Sequence, residues 1–157
     1  MRLYRIVRSE HLEDFQGIGA SYRDGGRWNR AGNPVLYFAE TASLAMLEMA
    51  NYLPSPRLVP SSYRLGIYEL PDDSSMVRWP VSMLPADWRD FPYPDSTQQM
   101  GTDWLVGGES RLLAVPSGAV PAGLDAIVLA SPARLDAGAV RLIGVEADFY
   151  NPRAFVR

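Results

Sequence analysis

Val35-Leu36-Tyr37-Phe38-Ala39-Glu40-Thr41-Ala42-Ser43-Leu44-Ala45-Met46-Leu47-Glu48-Met49-Ala50-Asn51-Tyr52 is the stretch on which the reading of the fold turns. Its first five residues form a compact apolar run of strand length. Thr41 is a residue type suited to capping a helix start. Residues 42–52 are then mostly good helix formers, and Pro54 and Pro56 stand ready to end the helix. A buried strand feeding straight into a short helix is the grammar of a mixed fold. The 13 prolines and 13 glycines, spread along the whole chain, add to that picture. They favour many short elements joined by turns over a helix bundle.

Working outward, residues 2–7 alternate and predict a first strand. Residues 17–34 are rich in Gly and polar groups and predict a loop, with a short strand near Gly26-Arg27-Trp28. Tyr63 to Leu70 alternates again. Leu112-Leu113-Ala114-Val115 and Ile127-Val128-Leu129 predict short buried strands, and 140–146 and 149–155 complete the strand set. Residues 95–106 predict a second helix, with a short helical piece near Trp88-Arg89-Asp90. No repeat, low-complexity tract or linker interrupts the chain. The expectation is one α+β domain over residues 1–157.

At 157 residues the chain can bury a core without staples. It has no Cys, which excludes disulfides, thiol catalysis and Cys-ligated metal. One histidine, His11, rules out a His-rich metal centre, so no metal site is expected. All 15 cations are Arg, and the absence of Lys removes P-loop and Schiff-base chemistry. A net charge of −3 gives no general pull toward nucleic acid or anionic membrane. No secretory signal or membrane span is visible, and the expectation is a cytoplasmic protein.

Three places carry chemistry-bearing side chains. Glu48 shares a helix face with Leu44 and lies beside Leu47, with Tyr52 one turn on. A carboxylate on an apolar face either sits at its edge, paired with an Arg, or faces a polar cleft. Gly25-Gly26-Arg27-Trp28-Asn29 is either a hairpin turn with a surface Arg, or a close-approach loop that offers a rigid guanidinium fork to phosphate. Pro116-Ser117-Gly118 follows a short apolar strand. Ser117 has no evident base beside it, which favours a hydrogen-bonding role over a nucleophilic one. Tyr37, Trp28 and Tyr52 fit either a core or a pocket wall.

Taken in order, these segments resemble the RES domain, the toxin half of bacterial Xre–RES toxin–antitoxin systems. The resemblance is carried by Leu3-Tyr4-Arg5-Ile6, Gly25-Gly26-Arg27-Trp28-Asn29, Gly32, Val35-Leu36-Tyr37, Leu44-Ala45 with Glu48, and Val115-Pro116-Ser117. It covers roughly residues 2–145. The Arg, Glu and Ser of the family name fall on Arg27, Glu48 and Ser117. One departure is Leu129-Ala130-Ser131-Pro132, where the family often has Asn-Pro followed by His.

The resemblance implies an ADP-ribosyltransferase-like α+β domain, with small mixed sheets and helices around a central cleft. It implies a toxin that depletes NAD by cleaving the nicotinamide–ribose bond, as a glycohydrolase or a phosphorylase. The alternative is a protein ADP-ribosyltransferase using the same NAD site. NAD is then a substrate, inorganic phosphate a possible co-substrate, and no cofactor is required. Arg27, Glu48 and Ser117 are the implied catalytic set, and Tyr37, Trp28 and Arg5 are expected to contact NAD. The implied partners are an Xre-type antitoxin and a second copy of the chain.

Overall fold

In a computed structural model, residues 1–53, 55, 58–73 and 75–155 are described. Among the described residues seven strands and three α-helices are interspersed, so the α+β expectation holds. Contacts group the chain into two compact units. The first holds Met1–Asp14, Phe38–Asp72 and Ala137–Arg157, and the second holds Phe15–Tyr37 and Asp73–Asp136.

The first unit is built on β1 (Arg2–Arg8). It pairs antiparallel along its whole length with β3 (Tyr63–Glu69), from Arg2 opposite Glu69 to Arg8 opposite Tyr63. On the other side of β1, Tyr4 faces Ala39, the last residue of β2 (Leu36–Ala39). β7 (Arg141–Glu146) continues antiparallel from β3, with a register shift at Ile67/Tyr68. The alternation read at 2–7 and 63–70 is this pairing. Leu3, Phe38, Leu65 and Tyr68 are buried, and the Phe38 and Tyr68 rings meet edge to face at 5.3 Å.

α2 (Ala42–Ala50) packs on β1. Thr41 caps it as expected: its Oγ1 accepts a hydrogen bond from the Leu44 amide at 3.1 Å. Of the face read around Glu48, only Leu44 and Ala45 are buried. Leu47 is exposed, and Tyr52 lies beyond the helix end. The helix is therefore shorter than 42–52, and its apolar stripe is one turn wide. Pro54 and Pro56 lie outside the described residues. The strand expected at 149–155 does not form. Phe149 and Tyr150 stack tilted at 5.0 Å, and Pro152–Phe155 makes a 3₁₀ turn. Pro152 has no amide hydrogen to give a ladder, which favours this outcome.

The second unit contains β4 (Val77–Arg78), parallel to β5 (Leu112–Pro116), which pairs antiparallel with β6 (Ala126–Ala130). The apolar runs of β5 and β6 are its centre: Leu113, Val115, Val128 and Leu129 have no measurable exposure. β4 and the short helix α1 (Ala20–Asp24) were not legible in the sequence. The segment around Trp88-Arg89-Asp90 is a turn, lying between a 3₁₀ turn at Val81–Met83 and a helix that begins at Asp95.

α3 (Asp95–Gly107) buries Thr97, Gly101 and Trp104, spaced to lie on one face. Gly101 is required by close approach. A Cβ there would stand 1.8 Å from the carbonyl oxygen of Trp28. Arg134 closes the C-terminal end of α3. Its guanidinium donates to the carbonyls of Trp104 (3.0 Å) and Gly108 and lies 4.8 Å over the Trp104 ring. A cation there satisfies the last carbonyls and opposes the helix dipole.

Candidate functional site

In the second unit the Gly25–Asn29 segment is a tight turn closed by an isolated bridge between Gly26 and Asn29. Gly25 has a φ of +81°, a conformation that disfavours other residues. At Gly26 a Cβ would meet Asn29 Oδ1 and the Tyr37 hydroxyl at 2.8 Å. The two glycines are thus demanded by the turn itself.

The turn is held from inside by polar side chains. Asn29 is fully buried. Its Nδ2 donates to the carbonyls of Ser21 (2.8 Å) and Arg30 (3.2 Å), and its Oδ1 accepts from the Tyr37 hydroxyl at 2.7 Å. That hydroxyl accepts in turn from the Trp28 amide at 3.1 Å. From α3, Gln98 Nε2 donates to the Gly26 carbonyl (2.9 Å), and Thr102 Oγ1 accepts from the Arg30 amide (2.9 Å). Satisfied buried networks of this kind hold a backbone in one conformation.

Trp28 points inward. It is 2% exposed and meets Trp79 edge to face at 5.9 Å. Its ring packs in the core. Tyr37 remains half-buried, with its hydroxyl committed to the turn.

Arg27 is half-buried and points the other way. Its Nη1 donates to the carbonyls of Trp88 (2.6 Å) and Asp90 (2.9 Å), and its Cζ lies 5.1 Å over the Tyr93 ring. A guanidinium held by two acceptors and an aromatic face has little freedom left, which is the preorganisation an anion site requires. Its other edge faces Gly118, where a Cβ would stand 3.1 Å from Nε and Nη2. The Arg27 and Ser117–Gly118 segments, 90 residues apart, are therefore neighbours. Ser117 is 1% exposed; its amide donates to the Asp125 carbonyl at 2.9 Å, and its Oγ accepts from the Ala119 amide at 3.1 Å. Arg89 Nε donates to the Gly118 carbonyl at 3.0 Å, tying the 88–93 segment to the same turn.

Glu48 and Arg5 belong to the first unit. Glu48 lies half-buried on α2, one turn after Leu44. Arg5 is half-buried in the middle of β1 and donates from Nη1 to the Asp14 carbonyl at 3.3 Å. Burial pushes its pKa below the usual guanidinium value, with Tyr68 and Asp14 opposing that shift. Among the described residues no group of three or more His, Asp or Glu side chains could hold a metal ion, and no helix is long and apolar enough to cross a membrane.

Sequence reasoning missed the 88–93 segment, which carries the acceptors and the ring that hold Arg27. The available signal was the density of aromatic and proline residues in Trp88-Arg89-Asp90-Phe91-Pro92-Tyr93-Pro94. Asn29 was quoted in the motif, but its role as the buried tie of the turn was not legible.

The chain is similar to a set of known proteins. A protein of Yersinia enterocolitica named Toxin Res is 38% identical over 122 residues, covering 77% of this chain and 78% of that protein. A protein of Sphingobium sp. named Prs ADP-ribosylating toxin is 33% identical over 155 residues, covering 97% of this chain and 93% of that one. Among solved structures, the M. tuberculosis MbcT–MbcA toxin–antitoxin complex matches with a TM-score of 0.67 and 22% identity, over 93% of this chain and 82% of that one. That likeness is one of fold. The RES domain family matches residues 2–149, so that nearly the whole chain, with Arg27, Glu48 and Ser117 inside the match, belongs to the RES domain family.

Proposed function

We propose that this protein is a toxin that depletes NAD by breaking the nicotinamide–ribose bond and is neutralised by an Xre-type antitoxin. The observation that supports it most directly is the immobilised guanidinium of Arg27 beside the Ser117–Gly118 turn, in a chain of the RES domain family.

Nicotinamide leaves as a neutral ring with the electron pair of the broken C–N bond, so no strong general acid is needed. The ribosyl group develops oxocarbenium character, which a carboxylate stabilises electrostatically. Glu48 takes that role and accepts from a ribose hydroxyl. Arg27 supplies the fixed cation for the pyrophosphate, its Nη1 being held by two carbonyls. Tyr37 contributes by fixing the Arg27 turn, and Ser117 hydrogen-bonds the nicotinamide end. Arg5 adds positive charge. A water or phosphate oxygen then bonds to the ribose carbon; with water, its proton passes to solvent.

A second reading is favoured by the relative named Prs ADP-ribosylating toxin, whose match spans 97% of this chain. In that reading the acceptor is a protein side chain. The bond broken is the same. We further propose a cytoplasmic site of action, where the NAD pool is, and a homodimer.

The experiment incubates purified protein with NAD, with and without inorganic phosphate and a bacterial lysate, and reads products by mass spectrometry. Free ADP-ribose identifies a glycohydrolase, a phosphorylated ADP-ribose a phosphorylase, and ADP-ribose on protein a transferase. Intact NAD in every condition overturns the proposal.

A further inference from the structure

We propose that Phe91 is the platform on which the adenine ring of NAD stacks, a subsite built by the 88–93 segment next to Arg27. This inference rests on the NAD reading above and adds the adenylate end of the substrate to it.

Phe91 is a large apolar side chain left 77% exposed. Exposure alone is ordinary for a surface residue. Its position is not. The ring meets Tyr93 edge to face at 5.4 Å with an interplanar angle of 89°. Tyr93 is the ring over which Arg27 lies at 5.1 Å. Two contacts therefore lead from the proposed pyrophosphate ligand to an open aromatic face.

The segment is also anchored. The carbonyls of Trp88 and Asp90 are held by Arg27, Trp88 is buried, and Arg89 Nε is bonded to the Gly118 carbonyl. Trp88 and Asp90, which orient Arg27, thus lie in the short stretch of backbone that presents Phe91, and Arg89 anchors that stretch to Gly118. A nucleoside phosphate has the two features this surface complements: an anion for Arg27, with Arg89 nearby, and a flat π-face for Phe91.

The test uses steady-state NAD consumption by the full chain, with Phe91→Ala and Phe91→Trp, and with AMP and nicotinamide as inhibitors. AMP carries the adenylate end and nicotinamide the other. Phe91→Ala is expected to raise the KM for NAD and the inhibition constant of AMP about tenfold, the effect of losing one stacked base. Its kcat and its inhibition by nicotinamide stay near wild type, its melting temperature is unchanged, and Phe91→Trp restores tight AMP inhibition. Wild-type AMP inhibition in Phe91→Ala overturns the adenine site while leaving NAD cleavage standing. Equal weakening of AMP and nicotinamide also overturns it, because that marks general disturbance of the loop. A wild-type chain that neither cleaves nor binds NAD removes the functional reading and this subsite together.

Discussion

Replacing Arg27 with Ala has two consequences that can be measured apart. The guanidinium gives two charge-assisted hydrogen bonds to the carbonyls of Trp88 and Asp90, at 2.6 and 2.9 Å, and a cation–π contact with Tyr93. Hydrogen bonds to charged groups are worth about 1.5–3 kcal/mol each when buried. Arg27 is half-buried, so about 1 kcal/mol each is the fitting value, with about 0.5–1 kcal/mol for the ring contact. The sum is about 2.5–3 kcal/mol. For a chain of this size that lowers the melting temperature by about 5–10 °C. Thermal unfolding by circular dichroism reads this directly. Arg27→Lys, a point charge that can reach one carbonyl, should lose about half as much. NAD consumption, assayed well below both melting temperatures, should fall by about two to three decades in Arg27→Ala, the usual effect of deleting one transition-state partner. A melting temperature within about 2 °C of wild type would show that Arg27 does not hold the 88–93 segment. Near-full activity in a folded Arg27→Ala would remove it from the site.

Glu48→Gln should lower NAD cleavage by about two to three decades at an unchanged melting temperature; retention of activity in the kinetic assay takes Glu48 out of the mechanism. Gly118→Ala sets a methyl 3.1 Å from two guanidinium nitrogens, tight enough that Arg27 must shift. Its backbone needs no special conformation, so the expected result is a several-fold loss of activity with little loss of stability, and the reverse pattern counts against the neighbourhood described. Gly101→Ala places its Cβ 1.8 Å from a backbone oxygen of the Trp28 segment, and should destabilise by more than about 3 kcal/mol in urea titration; a wild-type midpoint refutes the packing of α3. Tyr68 donates to the Leu12 carbonyl at 2.9 Å, and burial raises its pKa, Arg5 opposing that and Glu13 adding to it. A raised folded pKa means that stability is fully present below the unfolded value of about pH 10 and is lost as pH rises through the folded one. Urea midpoints should therefore fall more steeply above pH 10 in wild type than in Tyr68→Phe, and parallel slopes argue against a buried phenol.

What the sequence made legible follows from the range over which each signal acts. The strand–helix join at residues 35–50 was readable because both of its signals are local: an apolar run for β2 and a capping hydroxyl for α2. Strands β5 and β6 were readable for the same reason, as apolar runs bounded by turn residues. α1 was not, because five residues opening on glycine have too little propensity to stand out and are held by what they touch, such as the Ser21 carbonyl under Asn29. β4 is two residues long and exists through its pairing with β5. No local pattern encodes that.

The candidate site divides along the same line. Arg27, Tyr37, Glu48 and Ser117 could be named from an ordered motif, but their partners could not. Tyr37 shows what was lost. The motif leads one to expect that it stacks on or hydrogen-bonds NAD, and it does not show that its hydroxyl meets the Trp28 amide and Asn29 Oδ1. Tyr37→Phe therefore tests positioning. The ring stays, but fully buried Asn29 loses a donor and the Trp28 amide an acceptor, a loss of about 1–3 kcal/mol. If Tyr37 acts by holding the turn that aims Arg27, Tyr37→Phe should lower the melting temperature and raise the KM for NAD together, because the guanidinium is then less well placed. If its ring alone matters, the Phe variant should match wild type in both, while Tyr37→Ala fails. The two outcomes separate a residue that touches the substrate from one that acts through Arg27, a distinction the motif does not contain because it lies in where the hydroxyl's hydrogen bonds go.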